Sequence, residues 1–360
     1  VSAPTDRRAP LLSSAVFGTD VPLLDERQAI ELVVGLGELD MRAVLRREVT
    51  VQDVSRRCRC LLVRVPGSGW AVKQGANTET RESLAIEASM YRRLMGSPMQ
   101  GSVPRYVHDD PAHGVLVVEL VDGVSPREHE REQPREARAR YAVRLGRVLA
   151  TLHAMPTVAS DARTPPRILT CHQSSLESIE FHSPASLRVL ERIQTSTALT
   201  GVLDSVAADW SPIALSHNDL RADNIVVDEH TDRLTVIDWE MAGLADPRWD
   251  LCSLLAERLA WWLADPDLWL PEPGADARSA AAAGLVELHV FAGCLLAGYG
   301  DATVDAAIVR WIAARLVQTA MEHCHRDVSI SPLAEQMLQI AANMFRRPEE
   351  AGRLFFGMDL

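Results

Sequence analysis

Residues 216–251 read SHNDLRADNIVVDEHTDRLTVIDWEMAGLADPRWDL, and the fold turns on this stretch. His217-x-Asp219 is followed five residues later by Asn224, and an Ile-Asp-Trp-Glu run places Asp238 further on. The apolar runs Ile225-Val-Val227 and Leu234-Thr-Val-Ile237 flank a polar, turn-prone segment, Asp228 to Arg233, so the spacing predicts a β-hairpin. A hairpin brings its outer ends together, which predicts Asn224 beside Asp238 with Asp219 just upstream. An amide oxygen and a carboxylate suit Mg²⁺, a hard cation held by a few carboxylates plus phosphate. The remaining carboxylate, Asp219, suits orientation or deprotonation of an attacking hydroxyl. A lone His-x-Asp is common and an Asp-rich hairpin is usually a solvated turn, but here all the pieces stand in order over a short span.

HxDxxxxN followed by IDWE, Ala-Gly and DPxxDL resembles the phosphotransferase family of the aminoglycoside and choline kinases, distant relatives of the protein kinases. The resemblance implies that Asp219 handles the acceptor hydroxyl and that Asn224 and Asp238 carry Mg²⁺. Asp246 and Asp250 match the DPxxD tail and support the loop without taking part in chemistry. The implied fold is α+β: a bilobal, protein-kinase-like (aminoglycoside phosphotransferase) fold. The implied division is an arm over 1–24, a sheet-plus-helix N-lobe over 25–120 that binds nucleotide, and a mostly helical C-lobe over 121–360 with catalytic loop and acceptor cleft.

The bulk properties agree with such an enzyme. With 360 residues, the chain can bury one large or two moderate cores. A net charge of −12 argues against nucleic acid as the main partner. No apolar run is expected to reach the roughly 20 residues of a membrane span, and no signal peptide is read at the N-terminus. Six scattered cysteines fit reduced thiols in a cytoplasm. No internal repeat is visible.

Of 37 Lys plus Arg residues, 36 are arginine and only Lys73 is lysine. Chance survival is the plain reading, yet Lys73 ends an alternating Trp70-Ala-Val-Lys73 strand. That strand resembles the V-A-I-K with which kinases grip the α- and β-phosphates. Strands are predicted over Arg47–Val54, Cys60–Val65, Gly69–Gln74, Ser102–Val107 and Val115–Leu120. Thr80–Leu94 reads as a helix with Leu84, Glu87, Tyr91 and Leu94 on one face. By resemblance Glu87 pairs with Lys73, and Glu82 is the fallback. Glu119-Leu-Val-Asp-Gly123 resembles the hinge that binds adenine, through backbone groups near Glu119 and Val121.

The nucleotide turn departs from the family. Relatives place glycine or small residues there, whereas Asp53-Val-Ser-Arg-Arg-Cys-Arg-Cys60 has no glycine. Ser55, with Arg56, Arg57 and Arg59, offers hydrogen bonds and charge in exchange. Cys58 and Cys60 read as packing residues. Beyond Leu251 helices are predicted over Leu251–Ala264, Ala277–Gly298, Ala302–Arg326 and Pro332–Arg346. Trp261, Trp262, Trp269 and Trp311 accompany them, as core or as cleft lining. His323-Cys324-His325 reads as incidental, because i and i+2 diverge on a helix.

The expected reaction is transfer of the ATP γ-phosphoryl, with Mg²⁺, to a hydroxyl. Arg221, two residues after Asp219, either contacts the γ-phosphate or pairs with a nearby carboxylate. The Ser-Arg-Arg-x-Arg turn followed by Val-Lys-Gln resembles the branch that phosphorylates precursor peptides of ribosomal natural products, in thioamitide and lyase-assisted lanthipeptide pathways. It implies a peptide Ser or Thr acceptor and a partner lyase. The alternatives are a small-molecule kinase of aminoglycoside, choline or homoserine type, and a nucleotide-binding pseudokinase or scaffold, which only the glycine-free turn favours.

Overall fold

Alternation along residues 59–74 builds the sheet that carries Lys73. In the computed structural model, which describes residues 22–157, 161–173, 182–265, 276–300 and 305–357, the chain divides into two compact units. The smaller comprises Val1–Asp122 and Thr235–Met241, the larger Gly123–Leu234 and Ala242–Leu360. Most of the arm expected over 1–24, and Trp269, lie outside the described residues.

In the smaller unit α1 (Glu26–Gly35) starts at a capping box formed by Asp25 and Gln28, and a short α2 (Met41–Leu45) follows. Next come β1 (Thr50–Asp53), β2 (Arg59–Val65) and β3 (Ser68–Gln74), then α3 (Thr78–Leu94), β4 (Tyr106–Asp110) and β5 (Val115–Glu119). The five strands pair antiparallel in the order β1-β2-β3-β5-β4. Because side chains alternate along a strand, Leu61, Val63, Trp70 and Val72 share a core with Ala29, Leu32 and Val33 of α1. Lys73 is thereby sent to the opposite face, and α3 packs on β3, β4 and β5. The strand expected from Ser102 begins only at Tyr106. Gln100–Ser102 is a 3-10 turn, and Pro104 has no N–H to give a ladder.

The larger unit opens with α4 (Pro126–Glu132) and α5 (Arg135–His153), followed by two helices that sequence periodicity had not marked, α6 (Pro184–Gln194) and α7 (Thr197–Ala208). Both begin at a serine whose hydroxyl accepts from a first-turn amide, Ser183 and Ser196, a signal present in the sequence. The short strands β6 (Ala214–Ser216) and β9 (Gly243–Ala245) pair antiparallel with Leu215 opposite Leu244. Between them run β7 (Ile225–Val227) and β8 (Leu234–Val236), whose turn closes through the Asp228 N–H on the Arg233 carbonyl (3.0 Å). The chain ends in α8 (Pro247–Ala264), α9 (Ala277–Tyr299), α10 (Ala306–His323), α11 (Pro332–Arg346) and α12 (Pro348–Phe356).

Arg278–Tyr299, within α9, is long and apolar enough to cross a membrane, with a mean hydropathy of 1.8. Glu287 and His289 interrupt it, so no unbroken apolar run of about 20 residues is present. In this fold α9 lies against α5 at backbone contact. A Cβ on Gly146 would collide with the Leu295 carbonyl, and one on Gly298 with the Val143 carbonyl.

Candidate active site

Within the smaller unit, β3 and α3 bring Lys73 and Glu87 together. The ammonium lies 2.8 and 3.0 Å from the two Glu87 oxygens and 2.9 Å from Asp238 Oδ1. Glu87 is buried, being one α-helical turn from both Leu84 and Tyr91 on the packed face of α3, whereas Glu82 is exposed. Burial alone would lower the Lys73 pKa. The adjacent Glu87 and Asp238 carboxylates outweigh it and hold the ammonium charged, well above its ordinary range. Asp238 takes a left-handed backbone conformation (φ 66°), and its amide donates to the Tyr91 hydroxyl (3.4 Å). A non-glycine residue held there is uncommon and marks a position fixed by its surroundings.

The glycine-free turn closes on itself. Ser55 donates its amide (2.9 Å) and hydroxyl (2.5 Å) to Asp53 Oδ1, and the same hydroxyl accepts the Cys60 amide (2.9 Å). Arg57 reaches Glu79 and Glu240, and Arg59 reaches Asp53 and the Leu24 carbonyl. A serine–aspartate turn thus replaces the conformational freedom of glycine with side-chain bonds. Cys60 pairs across the sheet with Lys73, and burial pushes its thiol up to about 11, as befits a packing residue.

Along the hinge segment the Glu119 amide is taken by the Arg105 carbonyl and the Leu120 amide by the Gly69 carbonyl, both at 2.9 Å. Among the described residues, the half-buried Val121 amide has no acceptor. A partly buried N–H left over at a strand end is a ready donor for a ligand.

In the larger unit, the loop from His217 to Asn224 hangs on Asp250. The Asp250 carboxylate accepts the His217 amide (2.7 Å) and the Asn218 amide (2.8 Å), and it lies 3.2 Å from His153 Nε2. This grip holds Asn218 in the left-handed region (φ 67°). Asp246 instead caps α8 through the Arg248 amide and accepts the Ser211 amide. Asn224 Nδ2 donates to the Asp219 carbonyl (2.7 Å) and to Asp219 Oδ2 (3.2 Å). Burial pushes the Asp219 carboxyl above the ordinary aspartate range, against the pull of Arg221 and Arg315. Arg221 Nε stands 3.6 Å from Asp219 Oδ2, and its Nη1 is 3.9 Å from Glu322.

Asn224 belongs to the larger unit and Asp238 to the smaller. Each offers a hard oxygen, the donor chemistry of Mg²⁺. Among the described residues no cluster of three or more His, Cys, Asp or Glu side chains forms a cage for an ion. A metal brought in by nucleotide phosphates needs only one or two protein oxygens, and each of these side chains is by itself a donor of that kind.

Beside Asp219 and within the larger unit lies a cleft of about 250 Å³. Trp261 lines it, together with Arg315, Glu322 and Glu257, which carry no obvious motif in the sequence. Burial pushes the Glu257 carboxyl up to about 7, although it accepts the Ala222 amide (2.7 Å). Trp311 is core, stacked on Trp210 at 5.9 Å and under the Arg248 guanidinium.

These features are those of a kinase-like phosphotransferase. The sequence profile of the phosphotransferase enzyme family APH matches residues 42–291, and the chain belongs to that family. Plasmodium vivax ethanolamine kinase is similar in structure with a TM-score of 0.55 at 16% identity, over 91% of this chain and 92% of that one. The gentamicin complex of APH(2'')-IIa gives 0.54 at 18% identity, over 91% and 97%. ADP-bound APH(2'')-Ib gives 0.51 at 18% identity, over 85% and 99%. No curated protein sequence matches the chain significantly. The fold is the α+β, protein-kinase-like fold of the aminoglycoside phosphotransferases. The protein is an enzyme, a phosphotransferase acting on hydroxyl groups, and phosphotransferases of this family use ATP with Mg²⁺.

Proposed function

We propose that this enzyme moves the γ-phosphoryl of ATP to a Ser or Thr hydroxyl of a ribosomal natural-product precursor peptide, preparing phosphate for elimination by a partner lyase. The observation that carries the phosphotransfer reading is the Lys73 ammonium, the only lysine, gripped by two carboxylates in the smaller unit. In this reading residues 25–120 carry the nucleotide and residues 121–360 the acceptor. Lys73 holds the phosphates, oriented by Glu87. The Val121 amide and the Glu119 backbone receive adenine, and the Ser55 turn covers the phosphates once its bonds to Asp53 are exchanged. Asn224 and Asp238 would hold Mg²⁺, which supplies charge neutralisation when bound.

Asp219 orients the acceptor hydroxyl and takes its proton. The hydroxyl oxygen forms the new bond to the γ-phosphorus while the bond to the bridging oxygen breaks and ADP departs. Arg221 stabilises charge on the moving phosphoryl group. The peptide acceptor is supported by the Ser-Arg-Arg-x-Arg turn with Val-Lys-Gln, and a cytoplasmic site of action by six cysteines scattered without a repeated spacing. A second reading, a small-molecule kinase, is favoured by the ethanolamine and aminoglycoside kinases among the structural neighbours.

Two experiments test these statements. An amine-reactive acyl-phosphate analogue of ATP has one lysine to modify. Labelling of Lys73 that excess ATP with Mg²⁺ suppresses is expected, and labelling indifferent to ATP removes the nucleotide site. Mass spectrometry of precursor peptides incubated with ATP and Mg²⁺, beside gentamicin, choline and homoserine, is expected to show a peptide gaining one phosphate. Turnover confined to the small molecules refutes the peptide acceptor.

A further inference from the structure

The walls of the cleft beside Asp219 are unusual in where their charge is left over. Arg315, buried, is committed: its Nε donates to Ser253 Oγ (3.1 Å) and its Nη1 to Glu322 (3.2 Å). Glu322 also accepts Gln318 Nε2 (2.9 Å) and faces Arg221 at 3.9 Å, so its charge is met from three sides. Glu257 already accepts a backbone amide, and with its carboxyl pushed up to about 7 much of it is uncharged at neutral pH. Asp223 stands exposed at the rim, where solvent screens it.

The cations are less well served. Arg127, on α4, has one long contact to Asp265 (3.5 Å), and its buried Nε donates to nothing in the chain. Arg221 meets Asp219 and Glu322 only at 3.6 and 3.9 Å, and its buried Nε also lacks a hydrogen-bond acceptor. The unmet capacity of the cleft is therefore guanidinium N–H, which is matched by a carboxylate. A polycation would find only the exposed Asp223 and the charged fraction of Glu257 to meet it.

We propose that this cleft recognises a carboxylate carried by the acceptor, and that Arg127 is its specificity-determining contact, so that a Ser or Thr flanked by Asp or Glu is the preferred target. This rests on the phosphotransfer reading above and narrows its substrate class. A small hydroxy acid presents the same chemistry, and the test separates the two sources.

Two Ser-containing peptides identical but for Glu or Lys on either side of the serine are assayed with glycerate and gentamicin. The wild type is expected to favour the Glu-flanked peptide by about tenfold or more in kcat/KM, the worth of one charge-assisted contact. Arg127→Glu is expected to reverse that preference, which mere unfolding cannot do, and Arg127→Lys to preserve its direction. Glycerate turnover without peptide turnover would uphold the carboxylate site and refute the peptide acceptor. Equal use of both peptides, with the preference indifferent to Arg127→Glu, would overturn the carboxylate site and leave the peptide acceptor standing. Turnover of gentamicin alone, or of none of the four, overturns both.

Discussion

Replacing Lys73 by arginine keeps the charge and changes only its shape. The ammonium directs its three protons to Glu87 Oε1, Glu87 Oε2 and Asp238 Oδ1, at 2.8, 3.0 and 2.9 Å. A guanidinium confines its donors to one plane, so a fork laid on Glu87 leaves Asp238 out of that plane. One charge-assisted hydrogen bond is then lost, about 1.5–3 kcal/mol. The site has no room for the larger head, since the Lys73 side chain is 15% exposed and that of Glu87 1%. Overpacking adds about 1–3 kcal/mol. Because the two penalties overlap, a total loss of about 2–4 kcal/mol in stability is expected, read by thermal unfolding. The displaced charge no longer meets the phosphates, and transfer should fall about 10²- to 10³-fold. Lys73→Met, which leaves both carboxylates without their cation, is the comparator and should be worse in both assays. An arginine variant transferring phosphate within about threefold of wild type, under 1 kcal/mol of barrier, would refute the geometric argument.

Asp219→Asn should abolish most transfer while a calorimetric titration finds ATP affinity close to wild type. In the wild type the rate should rise with pH through a value above the ordinary aspartate range, because burial holds Asp219 protonated longer and only its carboxylate accepts a proton. Glu257 gives a stability signature of opposite slope to most carboxylates. With its folded pKa near 7 and a reference of 4.5, the native state binds the extra proton between those values. Stability from this group is then full below about pH 4.5 and falls by up to about 3 kcal/mol as pH rises through 7. Glu257→Gln should flatten that decline in denaturant titrations, and an unchanged slope would show that another group is responsible. Gly298→Ala should destabilise despite a gain of about 1 kcal/mol in helix propensity, because the new methyl meets the Val143 carbonyl. A net loss of about 1–3 kcal/mol in urea titrations is expected, and a more stable variant would show that α5 and α9 separate freely.

What the sequence by itself determined is local. His217, Asp219 and Asn224 lie within one loop, so their spacing carries the family pattern without any knowledge of the rest of the chain. The alternation of Trp70 to Gln74 and the helical period of Leu84 to Leu94 are likewise properties of short backbone repeats. Lys73 stood out because nothing else in the sequence is lysine. Tertiary structure decided which partners those residues meet. Asp250 grips the amides of His217 and Asn218 from 33 and 32 residues away. Glu257 and Glu322 reach the loop from His217 to Asn224, at the Ala222 amide and at Arg221, from helices whose apolar patterns read only as core, and Arg315 stands behind Glu322. Pro104 and the closed Ser55–Asp53 turn altered strand and loop where a local rule had pointed elsewhere. Burial is a sum over remote segments, and so are the shifted acidities of Asp219 and Glu257. No window of sequence contains that sum, because the atoms that exclude water from one side chain are supplied by the whole unit around it.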